Sequence, residues 1–463
     1  MVRRTYHSVV EIPMGGREAG RSLPTLVLQD GEPSLYSLAW TRNMMIDDDS
    51  SPMHLSKSVA AVGLFYDFYI GVYNGKVLAP EEMSGLMRQF FQARAYGCSE
   101  LGWEPVGRKT AKIDVRRASE FSKFCSKNFG SMPLNPIEKK LIEDLNVSEQ
   151  MAHYAKLKNR KDWDLLYHLP PTTQLGQGII NTYAFNPKSG FKQQVPKHEY
   201  FPPDKILSLI KATDNLRDKL AFLILFFGGL RESELMHLFI SDITVINGSG
   251  SIRIGDPESS LYEWDDHFRG KQQGLRSRFL HERYGIIPRN KLGLTDPLHS
   301  GWKGMLYAKN NDEANFEWLV PEVGELFGRL HHQYLREFRT SINDDHPHYF
   351  INIKNDFFGS PLKISNFIKS FYRAAKRVGL SPTESGVNPH GARHFYGYFC
   401  ASHLRIPMEQ TQLMMRHASI TSTEVYYTLE DRVVRDELKK GYERLAKDVP
   451  SFAKSLIDFT RMD

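Results

Sequence analysis

The chain has 463 residues, room for about three domains, and its 41% hydrophobic and 25% charged content calls for packed cores and excludes wholesale disorder. Lys and Arg number 60 against 54 Asp and Glu, a formal charge of +6 that permits a nucleic-acid partner without establishing one. Three scattered cysteines (Cys98, Cys125 and Cys400) rule out a disulfide framework or a cysteine zinc site and suit idle thiols in a reducing cytoplasm.

In chain order, residues 1–51 read as an N-terminal extension, partly ordered at best, that closes on the acidic turn signal DDDSSP. Its opening MVRRTYHSVVEIPMGG is basic but lacks the apolar stretch of a secretory signal. Apolar residues at helical spacing then predict helices over 56–75, 79–97, 115–129 and 135–160, so 52–165 reads as a small all-helical unit with basic faces. Breakers and lysines over 166–202 suit a linker. From Pro203 a second compact unit runs to about 435, opening with two helices of which the second is nearly all apolar and must be buried. That apolar run, 220–230, is about half a membrane span, so a soluble intracellular protein is expected.

Alternation predicts a strand at 251–256, then a hairpin of 304–309 and 315–321 around the turn NNDEA. The polar stretch 257–297 reads as an Arg- and Lys-rich excursion, and the pairs His331-His332 and His346-Pro-His348 as surface features. Helices resume afterwards, and 436–463 forms an amphipathic C-terminal helical tail. The expected class is mainly α with a small antiparallel β-sheet, α+β.

Three segments carry chemistry. GGLRESEL puts Arg231 and Glu234 just past two glycines at the end of the buried helix; a buried guanidinium there needs partners, and Glu234, one turn on, can hold its fork. NPHGARHFYGYF places His390 and Arg393 at i, i+3 on one helix face. LMMRHASITSTEVYYT supplies His417, with Tyr426 nine positions beyond. Two arginines and two histidines near a tyrosine suit phosphoryl transfer at a DNA phosphate. His390 and His394 also sit one helical turn apart, as zinc ligands can, but a third ligand and a general-base Glu between them are missing.

On these residues the chain resembles the tyrosine recombinase, or phage integrase, family. GGLRESEL is similar to its Gly-Leu-Arg-x-x-Glu-Leu segment, HGARHF to its His-x-x-Arg-His-Phe segment, and RHASITSTEVYYT to its Gly-His-x-Ser-x-x-x-Thr-x-x-Tyr segment, with Arg416 replacing the usual glycine. The resemblance covers about 200–430; the GWKGMLY stretch and the enlarged hairpin region are similar to the recombinases of three-gene mobile cassettes, the mobile-trio subgroup. It implies a helical core DNA-binding domain at 52–165 and a catalytic domain at 203–435 that together grip duplex DNA.

The resemblance further implies roles. Tyr426 attacks a phosphodiester to give a 3′-phosphotyrosine, Arg231 and Arg393 clamp the phosphoryl oxygens, and His417 hydrogen-bonds one of them. Glu234 orients Arg231, and His390 is the proton acceptor, imidazole titrating near working pH. A lysine on a β-hairpin protonates the leaving 5′-oxygen. Lys309 ends a predicted strand and Lys303 lies in the more distinctive HSGWKG, so both stand as candidates, with Lys271 a poorer third. Tyr427 adjoins Tyr426, and spacing from His417 favours Tyr426.

No cofactor or metal is implied. The implied partners are duplex DNA with a specific recombination site, sister copies in a homotetramer and accessory proteins, with no membrane, in the cytoplasm at the nucleoid. The tail at 436–463 docks on a neighbouring subunit or packs in cis. Two alternatives stand beside recombination: a type IB-like relaxing topoisomerase, and a DNA-binding protein that does not cut.

Overall fold

A computed structural model describes residues 3–145, 150, 153, 179–187, 199–266, 268–307, 312–314, 316–340, 342, 345–354, 357–427 and 447. The chain divides into two compact units, Met1–Gln193 with Gly293–Thr295, and Gln194–Leu292 with Asp296–Asp463. The tail expected at 436–463 lies outside the described residues apart from Lys447. Among the described residues no helix is long and apolar enough to cross a membrane.

The first unit begins earlier than the sequence suggests. Residues expected as a partly ordered extension pair as an antiparallel ribbon, Ser8–Pro13 with Ser22–Val27, followed by the helix Leu35–Ile46. Leu23, Leu26, Trp40, Met44 and Met45 are buried there against Leu55, Val59 and Val62 of the helix Pro52–Tyr73. The acidic turn before Pro52 leads straight into that helix: Ser51 caps it, its Oγ accepting from the His54 N–H at 3.3 Å. Helices Pro80–Tyr96 and Arg108–Phe129 complete the bundle.

The helix expected over 135–160 is replaced at its start by the strand Ile137–Leu141, which pairs with Ile179–Tyr183, inside the expected linker. The charges of IEKKLIED alternate at helical spacing, but a strand partner some forty positions on leaves no local trace.

In the second unit the helix Leu216–Gly228 runs through the core, with Leu220 to Phe226 each at most 1% exposed. Helices Pro203–Lys211, Pro321–Tyr334, Ile364–Arg377 and Pro389–Tyr398 pack around it. All the described sheets are two-stranded and antiparallel, so the class is mainly α with small β elements.

The hairpin expected from 304–309 and 315–321 does not form among the described residues. Gly304–Tyr307 is irregular, and Glu313–Ala314 pairs instead with Ile254–Gly255. Polar bonds outbid the strand: Leu306 N–H donates to Arg416 O at 3.3 Å and Tyr307 Oη to Asp256 Oδ2 at 2.7 Å.

Nor is 257–297 a mere excursion. It holds the ribbon Leu261–Asp266 with Gly270–Leu275 and the helix Arg276–Tyr284. Two of its arginines point inward. Arg276, 2% exposed, pairs with Asp242 and lies over the Phe239 ring at 3.6 Å. Arg289, also 2% exposed, donates to the carbonyls of Leu298, Met236 and Leu362 at 2.7–2.9 Å. His331, His346 and His348, expected at the surface, are buried too, with His331 Nδ1 at 2.9 Å from Tyr349 Oη and His346 Nε2 at 2.8 Å from Gly359 O. Polar side chains of this kind enter a core when backbone or hydroxyl partners wait there.

Candidate active site

The buried helix Leu216–Gly228 ends at two glycines, and both are needed. A Cβ on Gly228 would lie 2.3 Å from the Phe316 ring, and Gly229 adopts φ +64° with Tyr396 2.9 Å from where its Cβ would be. This close approach brings Pro389–Tyr398 against the glycine turn. Arg231 then caps the short helix Glu232–Leu235, and Glu234 Oε2 accepts the Arg231 N–H at 2.8 Å.

Glu234, 1% exposed, is the hub. Its Oε1 accepts from the Arg231 guanidinium, and Arg393 Nη1 lies 3.9 Å from its Oε2. Burial works to raise its pKa, but Arg393, Arg231 and Arg416 outweigh it and hold the carboxyl below the usual range. Arg393, 2% exposed, donates to Gly229 O, 164 positions away, and to Met415 O. Burial pulls it down to about 9, against the carboxylate of Glu234. The first two motifs therefore share one buried cluster.

Arg416 departs from the family's glycine yet keeps glycine's backbone, with φ +57° at the end of the helix Met408–Met415. That conformation costs a non-glycine residue roughly 1–2 kcal/mol. Its fully buried guanidinium offsets the cost by donating to Gly228 O at 3.0 Å, which ties the third motif to the first.

His417 is 6% exposed, with Nδ1 at 2.9 Å from Thr423 Oγ1 and its ring stacked on Tyr426 at 6.2 Å and 12°. Burial, then the charges of Arg393, Arg231, Arg416 and Lys303, drive its pKa down to about 2, so it is neutral at working pH. Tyr426, 8% exposed, is pushed up to about 12 by burial, opposed by Arg393 and Arg231. The hydroxyl of the adjacent Tyr427 is occupied elsewhere, by Thr411 and the Ile406 carbonyl.

Lys303 is exposed on an irregular segment fastened from several sides. Ser300 Oγ donates to Ser233 O at 3.1 Å, buried His237 meets Ser300 O at 3.0 Å, and Trp302 Nε1 donates to Tyr307 Oη at 3.2 Å. With Leu306 bonded to Arg416 O, these contacts hold Lys303 within electrostatic reach of His417. Lys309 lies outside the described residues, and Lys271 is exposed on the strand Gly270–Leu275.

His390 is exposed, and its ring meets that of His394 edge to face at 4.4 Å and 81°. Among the described residues no group of three His, Cys, Asp or Glu is placed to hold a metal. It is His394 whose Nδ1 stands 2.8 Å from Tyr426 Oη, a contact that the sequence, weighing His394 only as a zinc ligand, did not point to. Glu232 was missed as well: its Oε2 is buried without a hydrogen-bond partner among the described residues, and burial raises its pKa.

No family model and no curated protein matches the chain. Solved structures do. The crystal structure of XerA recombinase aligns over 88% of this chain and 97% of its own, at 14% identity and a TM-score of 0.33. XerH site-specific recombinase bound to a palindromic difH substrate, a post-cleavage complex, aligns over 83% and 79%, at 12% identity and 0.43. A lambda integrase dimer bound to a COC′ core site aligns over 86% and 95%, at 12% identity and 0.38. Among solved structures, the chain is thus similar to recombinases and integrases, the proteins whose motifs its sequence resembles.

Proposed function

We propose that the chain is a site-specific tyrosine recombinase of a mobile element, which cleaves and rejoins duplex DNA through a 3′-phosphotyrosine. One observation carries this: the carboxylate of Glu234 pairs with Arg231 and faces Arg393 at 3.9 Å, while the Tyr426 hydroxyl lies in the field of both guanidiniums. The segments that supply these groups are far apart in the chain, and a cluster of guanidiniums beside one phenol suits a phosphodiester.

In this reading Arg231, whose side chain is 13% exposed, and Arg393 bind the non-bridging oxygens and stabilise the charge that grows on them. His417 stays neutral; with Thr423 donating to Nδ1, its Nε2–H points a further hydrogen bond at the phosphoryl group. Lys303 gives its proton to the departing 5′-oxygen, a role its fastened segment beside His417 supports. Tyr426 is the nucleophile, and its hydroxyl needs a proton acceptor. His390, the sequence's candidate for that task, stands exposed at the same face of the helix, one turn from His394.

The test is a denaturing gel on nicked duplexes of randomised sequence. Wild-type protein should carry a covalently attached strand and Tyr426→Phe none. No adduct with wild type, or equal adduct in the variant, overturns the proposal. Relaxation of supercoiled plasmid without any exchange between duplexes would favour a topoisomerase instead.

A further inference from the structure

We propose that His394 takes the proton from Tyr426 as its hydroxyl attacks, and that Gly397 builds the seat that holds the ring in place. The assignment rests on the strand-transfer reading above.

The hydroxyl needs such a group. Burial keeps the phenol neutral, and a neutral phenol is a poor nucleophile. His394 Nδ1 stands 2.8 Å from Tyr426 Oη, the length of a full O–H···N hydrogen bond. The half-buried imidazole directly follows Arg393 on the helix Pro389–Tyr398, so the phosphate clamp and the acceptor ride on one rigid element.

Gly397, three positions on, completes the seat. A Cβ there would fall 2.7 Å from Tyr426 Cε2, 2.8 Å from its Cζ and 2.7 Å from Met415 Sδ. No other residue lets the phenol ring lie this close to the helix. The His417 ring lies nearly parallel to the phenol, 6.2 Å away between centroids. The phenol is thus fixed between a glycine floor and an imidazole acceptor.

The neighbouring candidates fit less well. His417 is held neutral by burial and by surrounding cations, and its Nδ1 already meets Thr423. His390 meets His394 edge to face at 4.4 Å, which places it one turn up the helix beside the acceptor.

The step balances. The Oη–H bond of Tyr426 breaks and its proton passes to His394 Nδ1, leaving an imidazolium. The phenolic oxygen bonds to phosphorus, the P–O5′ bond breaks, and its electron pair leaves on the 5′-oxygen, which takes a proton from the Lys303 ammonium. Religation runs the same transfers backwards.

The test uses the full chain and a nicked duplex recovered from the randomised pool. His394→Asn keeps a hydrogen-bonding atom near Nδ1 but cannot hold the proton, and cleavage should fall roughly 10²–10⁴-fold, the usual worth of general base catalysis. Installing a trifluorotyrosine at 426, whose phenol ionises without help, should shrink that deficit below about tenfold. A 5′-bridging phosphorothiolate duplex, whose leaving group needs no acid, should rescue Lys303→Ala and not His394→Asn.

Gly397→Ala, an independent variant, should lose cleavage and still shift the duplex in a native gel. If His394→Asn cleaves like wild type, or its deficit is unchanged with the fluorinated phenol, or the phosphorothiolate rescues it, the assignment is wrong. Wild type that forms no adduct sinks the strand-transfer reading and this assignment with it, whereas wild-type adduct with an unimpaired His394→Asn sinks the assignment alone.

Discussion

Replacing Glu234 with Gln removes the carboxylate that pairs with Arg231 and faces Arg393 and Arg416. Glu234 is 1% exposed and Arg393 2%, so solvent cannot screen what is left. Deleting one partner of a buried ion pair costs about 3–5 kcal/mol. The Gln carbonyl can still accept from the Arg231 N–H, a bond of 2.8 Å in the native protein, which places the loss at the lower end, about 3 kcal/mol. Two units of structure make a single global transition a poor readout.

Hydrogen exchange of the buried helix Leu216–Gly228 reads the second unit directly, and its protection should drop roughly 150-fold. The sign with pH follows from the lowered carboxyl. Its stabilisation is complete above its ordinary value of 4.5 and is lost as pH falls through the lower, folded value, so wild type and variant should converge in acid. A loss under about 1 kcal/mol at neutral pH, or a gap that persists unchanged in acid, refutes the role of Glu234 as the hub.

Three further outcomes are expected. Arg393→Lys loses the fork that reaches both Gly229 O and Met415 O, so cleavage should fall at least about 10²-fold while gel-shift affinity changes little; equal losses in both would contradict this. His417→Ala should cut the cleavage rate roughly 10²–10³-fold without altering the shape of the pH–rate profile near neutrality, since this histidine protonates only at about 2; a lost inflection would show that it titrates. Lys303→Ala should cleave an ordinary duplex slowly and a 5′-bridging phosphorothiolate duplex at the wild-type rate; if Lys309→Ala alone behaves this way, the acid is Lys309.

The grouping of the candidate site was legible where it depends on short spacings. Arg231 and Glu234 lie within one segment, and side-chain type and helical period suffice to pair them, while His417 and Tyr426 share another segment nine positions apart. The convergence of the segments rests on backbone carbonyls, Gly228, Gly229 and Met415, which no sequence pattern advertises. Arg416 was opaque for a related reason: its positive φ belongs to glycine by habit, and the distant Gly228 carbonyl it reaches is not advertised in the sequence.

The fold misled in the same way. Arg276 and Arg289 look like solvent-facing charge in sequence, yet each finds a carboxylate or a set of carbonyls in the core. Tyr307 and Leu306 alternate like strand residues but are claimed by Asp256 and Arg416. His394 carried no signal of its own beyond adjacency to Arg393, and its meaning came only with the ring of Tyr426 lying on Gly397.

The most direct measurement is to digest the protein–DNA adduct with protease and nuclease and sequence the modified peptide by mass spectrometry. The nucleotide remnant should sit on the oxygen of Tyr426. A remnant on Tyr427 or any other side chain, or a digest with no modified peptide, would contradict the account.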